Sequence, residues 1–298
     1  MKDENFKTNI RWTLDNEGSK EIRYAEILPK KDTLENVSNW IVFLNGRSEW
    51  IEKYTYICSD LRLPATTAFL FMDHRGQGAS AGTRGHIDTY ASYAVDLEKI
   101  IKTVIAEKPY SIVAHSMGCL ISAYAIANQM LKPQKVVFLS PFFGVPNDPV
   151  PTVVSRPLAK TLCSFNLGFK RAVGGNFEKP PFPGNKLTHD PVRYQTAKES
   201  SYKLPAPTFA WIHASFEAQD FVFTPEALKN FSCPVLVLAG SDERCVNPKG
   251  IDQWVQAAAT VHPQLIFYTR IQNSRHELLS ELPGPYNEAL HYIRNFLK

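Results

Sequence analysis

The chain of 298 residues is 44% hydrophobic and 21% charged, proportions that exclude a disordered or fibrous architecture and leave a soluble globular protein. Its net charge of +4 comes from 33 basic residues spread without a dense run, so nucleic acid is not an expected partner. Five cysteines, Cys58, Cys119, Cys163, Cys233 and Cys245, form no CxxC pair and no Cys/His spacing suited to zinc, so reduced thiols and no metal site are expected.

The chain opens with MKDENFKTNIRW, which is polar where a secretory signal needs a basic start and an apolar run. No apolar segment long enough to span a bilayer follows, so the expected location is cytoplasmic, with any membrane substrate met from the aqueous side. EIRYAEIL at 21–28 and WIVFLN at 40–45 have the character of strands, the second continuously apolar as a strand covered on both faces should be. A helix is expected over roughly 51–62, then a buried strand in TTAFLFMD at 66–73. The turn-rich loop HRGQGASAGTRGH leads into a helical pattern over 89–107. The alternation continues with SIVA, a helix over 117–130, KVVFLS at 135–140, PVLVLA at 234–239, a helix over 248–259, QLIFYT at 264–269 and a last helix from about 285.

Buried strands alternating with helices imply an α/β protein with a mostly parallel, doubly wound sheet. The stretch between KVVFLS and PVLVLA is proline-rich and carries no buried strand, and a structureless loop of that length would be anomalous in a compact domain. An inserted helical cap over 141–231 is expected there, leaving 1–140 and 232–298 as the core. Within it, DPVPTVVSRPLAKTL aligns Val150, Val153, Val154, Leu158 and Leu162 on one helical face, and PTFAWIHASFEAQ makes a second stripe. Such stripes either pack on the core or wall an acyl chain.

Ligands of a parallel sheet bind at the carboxyl ends of its strands. In YSIVAHSMGCL the residue placed there, between strand and helix, is Ser116. Small neighbours two positions to either side, Ala114 and Gly118, suit a nucleophile elbow, a sharp turn that lifts the serine Oγ clear of the sheet. A bare serine hydroxyl needs a base, and the base a carboxylate, in the order Ser, acid, His. His276, in the loop QNSRHELLSE after QLIFYT, lies at the right end of the sheet, unlike His189, His213, His262 and His291. The acid should follow PVLVLA, where Asp242 and Glu243 are adjacent and local chemistry does not choose between them. Oxyanion donors are expected from the backbone N–H groups of Met117 and of Arg47 in the loop LNGRSEW.

Together these segments resemble the α/β-hydrolase superfamily, in its monoglyceride lipase and bacterial lysophospholipase branch. NGRSEWIEKY resembles that branch's HGxxEHxxRY loop, with Asn45 and Trp50 in place of histidines. MDHRGQGASAGTRGHIDTYASYAVDL resembles its DHxGxGxSxGxRGHxxxFxxYxxDL segment, AHSMG its GHSMG elbow, and LTHDPVRYQ and PTFAWIHAS its cap sequences. The family's acid lies three residues after a glycine, which from Gly240 points to Glu243, with Asp242 as the alternative. The resemblance implies an α/β-hydrolase fold and a cofactor-independent serine hydrolase that cleaves monoacylglycerol or lysophospholipid, with transient contact at a membrane surface. Ser116 would be its nucleophile, His276 its base, Glu243 its acid, and Arg47 and Met117 its oxyanion donors; His74 and Arg75 would be structural. A proline-releasing aminopeptidase on the same scaffold would need an acidic pocket in the cap, and a non-catalytic binding protein would leave Ser116 unreactive.

Overall fold

A computed structural model describes residues 5–15, 18–30, 36–146, 150–172 and 180–298. Parts of the two proline-rich stretches of 141–231, at 147–149 and 178–179, lie outside the described residues, as do residues 1–4 at the start of the chain.

Eight strands form one sheet in the order β1-β2-β4-β3-β5-β6-β7-β8. They are β1 (Phe6–Leu14), β2 (Glu21–Pro29), β3 (Asn39–Leu44), β4 (Thr67–Met72), β5 (Tyr110–His115), β6 (Val136–Leu139), β7 (Val235–Gly240) and β8 (Ile266–Ile271). The pairs β1–β2 and β2–β4 are antiparallel and the other five are parallel. The central strands β4, β5, β6 and β7 are buried along their whole length, which is why they are mostly Val, Ile, Leu, Phe and Ala, with few polar residues such as Ser111 and His115.

Helices cover both faces. On one side α2 (Tyr90–Val104), α3 (Met117–Ala127) and α8 (Pro248–Val261) pack around Trp254 and Phe138. On the other, α1 (Ile57–Asp60) and α9 (Pro283–Leu297) close over Phe43, Phe71 and Ile293. Between β6 and β7 lie α4 (Thr152–Ser164), α5 (Pro191–Glu199), α6 (Phe209–Val222) and α7 (Pro225–Lys229).

Three departures from the sequence expectations have physical causes. The first strand, β1, was not anticipated: it is a sheet edge whose Ile10, Trp12 and Leu14 are exposed, so it lacks the pattern of a strand facing a core. The helix expected over 51–62 is a short 3₁₀ turn, Ile51–Lys53, followed by the four-residue α1. The Ile51 N–H at its start donates to Asp73 Oδ1 at 2.9 Å, and Lys53 is drawn inward to Glu49 and Glu277. In α4 the stripe Val153, Val154 and Leu158 is exposed, and Ala159 is the buried residue of that helix.

Candidate active site

The parallel register sets Leu44 of β3 beside Ala114 of β5, so the loops after these strands meet at one end of the sheet. Ser116 sits between β5 and α3 with φ 52° and ψ −112°, a left-handed conformation that is strained for a residue with a Cβ. Backbone bonds on both sides hold it: Ser116 N–H donates to Leu139 O at 2.9 Å, and Ser116 O accepts from Phe142 N–H at 3.1 Å. Its Oγ has no hydrogen-bond partner among the described residues. A Cβ on Gly118 would come within 2.5 Å of Leu44 O and 2.8 Å of Asn45 O. Only glycine lets α3 approach the loop after β3 this closely, and that approach brings Met117 and Arg47 to the same end of the sheet. Met117 opens α3, so its N–H has no acceptor within the helix. The loop is braced from behind by buried His74, whose Nε2 lies 3.1 Å from Asn45 O. Burial pushes the His74 pKa down to about 4, so it braces the loop as a neutral ring. Arg75 is held by Asp96 through two bonds of 2.6 and 2.7 Å.

The opposite wall comes from the end of β7 and the loop after β8. A Cβ on Gly240 would lie 2.3 Å from Arg275 O and 2.5 Å from Ser274 O, so this glycine lets the histidine loop cross directly over the end of β7. Asp242 N–H donates to Ser274 O at 2.9 Å and fastens the two loops together. The neighbouring carboxylates then diverge. Glu243 is buried, with Oε2 2.8 Å from His276 Nδ1 and Oε1 accepting from Cys245 N–H at 2.7 Å and Val246 N–H at 3.2 Å. Asp242 faces outward toward Arg244 at 2.7 Å, Arg275 at 3.6 Å and His189 at 3.9 Å.

Burial alone would raise the Glu243 pKa, but the imidazole and the three hydrogen bonds outweigh it and the carboxyl is held below its usual value. For His276 burial works downward and the Glu243 carboxylate upward, and the carboxylate prevails. Glu243, Cys245 and His276 offer ligand atoms within 4.8 Å of one another, but two of the three are already bonded together.

Ser116, His276, Arg47 and Met117 line one cavity of about 470 Å³. Its remaining wall is mostly apolar, with Phe142, Val150, Leu158, Phe209, Trp211 and Ile212 drawn largely from residues 141–231.

Behind His276 lies a charged network that sequence reasoning missed. Buried Glu49 accepts from Lys53 Nζ at 2.8 Å and Tyr54 Oη–H at 2.7 Å, and its Oε2 stands 3.0 Å from His115 Nδ1. Lys53 reaches on to Glu277 Oε1 at 2.7 Å, and His115 Nε2 lies 3.2 Å from His276 O. Burial would raise the Glu49 pKa, yet His115 and Lys53 hold it well below the ordinary range. The four-residue spacing of Glu49 and Lys53 was the available signal.

A serine at positive φ between a parallel strand and a helix, lining one cavity with a histidine that is bonded to a carboxylate, on this sheet order, defines an α/β-hydrolase. The chain belongs to the family described as serine aminopeptidase, S33, whose model matches residues 35–283. It falls in the branch of the superfamily that holds lysophospholipases and monoglyceride lipases. It is 29% identical over 278 residues to the "probable lysophospholipase L2" of Haemophilus influenzae, covering 88% of this chain and 84% of that protein. It is 23% identical over 264 residues to the monoglyceride lipase of Rattus norvegicus, covering 86% and 82%. The fold matches the crystal structure of Paleococcus ferrophilus monoacylglycerol lipase with a TM-score of 0.72 at 19% identity, over 98% of both chains.

Proposed function

We propose that this carboxylic ester hydrolase cleaves single-acyl lipids, a monoacylglycerol or lysophospholipid, through Ser116, His276 and Glu243. His276 takes the Ser116 proton as Oγ attacks the ester carbonyl, and Glu243 holds the imidazole tautomer that makes this possible. The backbone N–H groups of Met117 and Arg47 receive the charge that develops on the carbonyl oxygen. His276 returns its proton to the leaving alkoxide, and water, activated by the same imidazole, releases the fatty acid from the acyl-enzyme. Residues 141–231 act as a cap over a core of 1–140 and 232–298, and their apolar side chains house the acyl chain. Exposed Val153, Val154, Phe165, Phe169 and Val192 suit brief contact with a lipid surface. No helix among the described residues is long and apolar enough to cross a membrane.

The observation that carries this reading is the shared cavity: Ser116 and His276 open into one apolar chamber, with Glu243 bonded behind the imidazole. An aminopeptidase would need a carboxylate available to a substrate ammonium. The carboxylates of this wall, Glu49 and Glu277, are already engaged by Lys53. The test is labelling by a fluorophosphonate together with hydrolysis of p-nitrophenyl acyl esters. Both are expected in the wild type and both are lost in Ser116→Ala; retained turnover in that variant would refute the assignment.

A further inference from the structure

The cavity contains a cation that the scheme above leaves unused. Arg47 lines the same chamber as Ser116 and His276. Its Nη2 donates to Pro205 O at 2.6 Å, the guanidinium lies 5.2 Å from the centre of the Trp211 ring, and its buried Nε–H has no acceptor. Among the described residues no carboxylate pairs with it. Burial lowers its pKa to about 10, which still leaves it charged at neutral pH.

A second guanidinium stands beside it. A Cβ on Gly85 would meet Arg47 Nη2 at 3.1 Å and Arg171 Nη1 at 3.8 Å. Arg171 donates to the carbonyls of Ala206 at 2.6 Å and Arg84 at 3.0 Å, again with no carboxylate among the described residues. Two adjacent, partly desolvated cations with no counter-charge among the described residues are costly in a resting protein. They make physical sense where a ligand supplies the anion, and guanidinium forks match phosphate oxygens.

We propose, resting on the ester-hydrolase reading above, that Arg47 supported by Arg171 binds the phosphoryl group of the substrate headgroup, which makes the preferred substrate a lysophospholipid. The acyl chain occupies the apolar wall while the phosphodiester sits at the Arg47 side of the cavity. A neutral glycerol headgroup would leave both charges uncompensated.

The experiment compares kcat/KM for a lysophosphatidylcholine and a monoacylglycerol of the same acyl chain in wild type, Arg47→Gln and Arg171→Gln. The wild type is expected to favour the lysophospholipid. The ratio of the two kcat/KM values falls roughly 10- to 100-fold in Arg47→Gln, as loss of a charge-assisted bond predicts, and about 3- to 10-fold in Arg171→Gln. Calorimetric titration of lysophosphatidylcholine into Ser116→Ala protein, with and without Arg47→Gln, reads binding without turnover and should show about a 10-fold weakening. Equal losses on both lipids, or a wild-type preference for the monoacylglycerol, would overturn the proposal and leave Arg47 a strut between the oxyanion loop and Pro205. Inhibition by inorganic phosphate as strong as by glycerophosphocholine would overturn the headgroup assignment in favour of a free-phosphate site. Failure of the ester-hydrolase reading itself looks different: neither lipid is turned over and fluorophosphonate leaves Ser116 unlabelled.

Discussion

The two neighbouring carboxylates at 242 and 243 illustrate how much depends on the direction of one side chain. Both could accept the imidazole N–H, and the peptide between them sends Glu243 inward and Asp242 to solvent. Glu243→Gln should lower kcat by about four orders of magnitude, the loss seen when a triad acid becomes an amide and the wrong tautomer is held. Asp242→Asn should change it less than about threefold, since exposed ion pairs contribute little. Steady-state kinetics on one ester substrate checks both. The pH profile follows from the same pair. On the proposed mechanism the reaction needs neutral His276, and the Glu243 carboxylate favours the protonated ring, so activity should be lost as pH falls through a pKa lying above the ordinary histidine value of about 6.5. In the residual activity of Glu243→Gln this acidic limb should move to lower pH; a limb that stays in place would separate the profile from His276. The placement of Ser116 and His276 at one end of the sheet was legible in the sequence because a strand, a turn and a helix are each encoded locally, and these residues stand at the joints. The choice of Glu243 over Asp242 as the partner of His276 came only through a resemblance, because its orientation depends on the histidine loop crossing Gly240, a contact between distant segments.

Among the elements, the buried parallel strands were the most legible, since burial on both faces demands an unbroken apolar run. The segment after β3 was the least legible. Its Glu49, Lys53 and Tyr54 have the composition of a solvated helix, yet tertiary partners draw them inward and the helical bonds give way. Helical propensity is a weak prior when a few charge-assisted bonds oppose it. Lys53→Met should therefore be severe, because it leaves Glu49 and Glu277 facing each other in a buried site without their shared cation. A loss of about 3–5 kcal/mol is expected from breaking such a buried pair, measurable as a lower midpoint in urea. Folding the same substitution together with Glu49→Gln and Glu277→Gln should recover much of that loss; no recovery would mean that the lysine acts through packing alone.

Across the molecule, the more extensive of the two buried clusters among the described residues lies on the α8 face of the sheet. Trp254 is fully buried against Phe138, Phe143 and Phe231 and donates its indole N–H to Val222 O at 3.2 Å. Trp254→Ala should cost about 3–5 kcal/mol, whereas Trp12→Ser on the exposed edge strand should stay within about 0.5 kcal/mol, compared by the same denaturation. The network around Lys53 has a further consequence, set by where its members lie along the chain. Lys53 joins Glu49 in the segment after β3 to Glu277 in the loop after β8, so the network closes only when segments far apart in the chain have been brought together. On the proposed mechanism, the imidazole beside this network becomes competent only once those distant segments have docked, so reactivity would follow tertiary assembly and not the local folding of the serine turn.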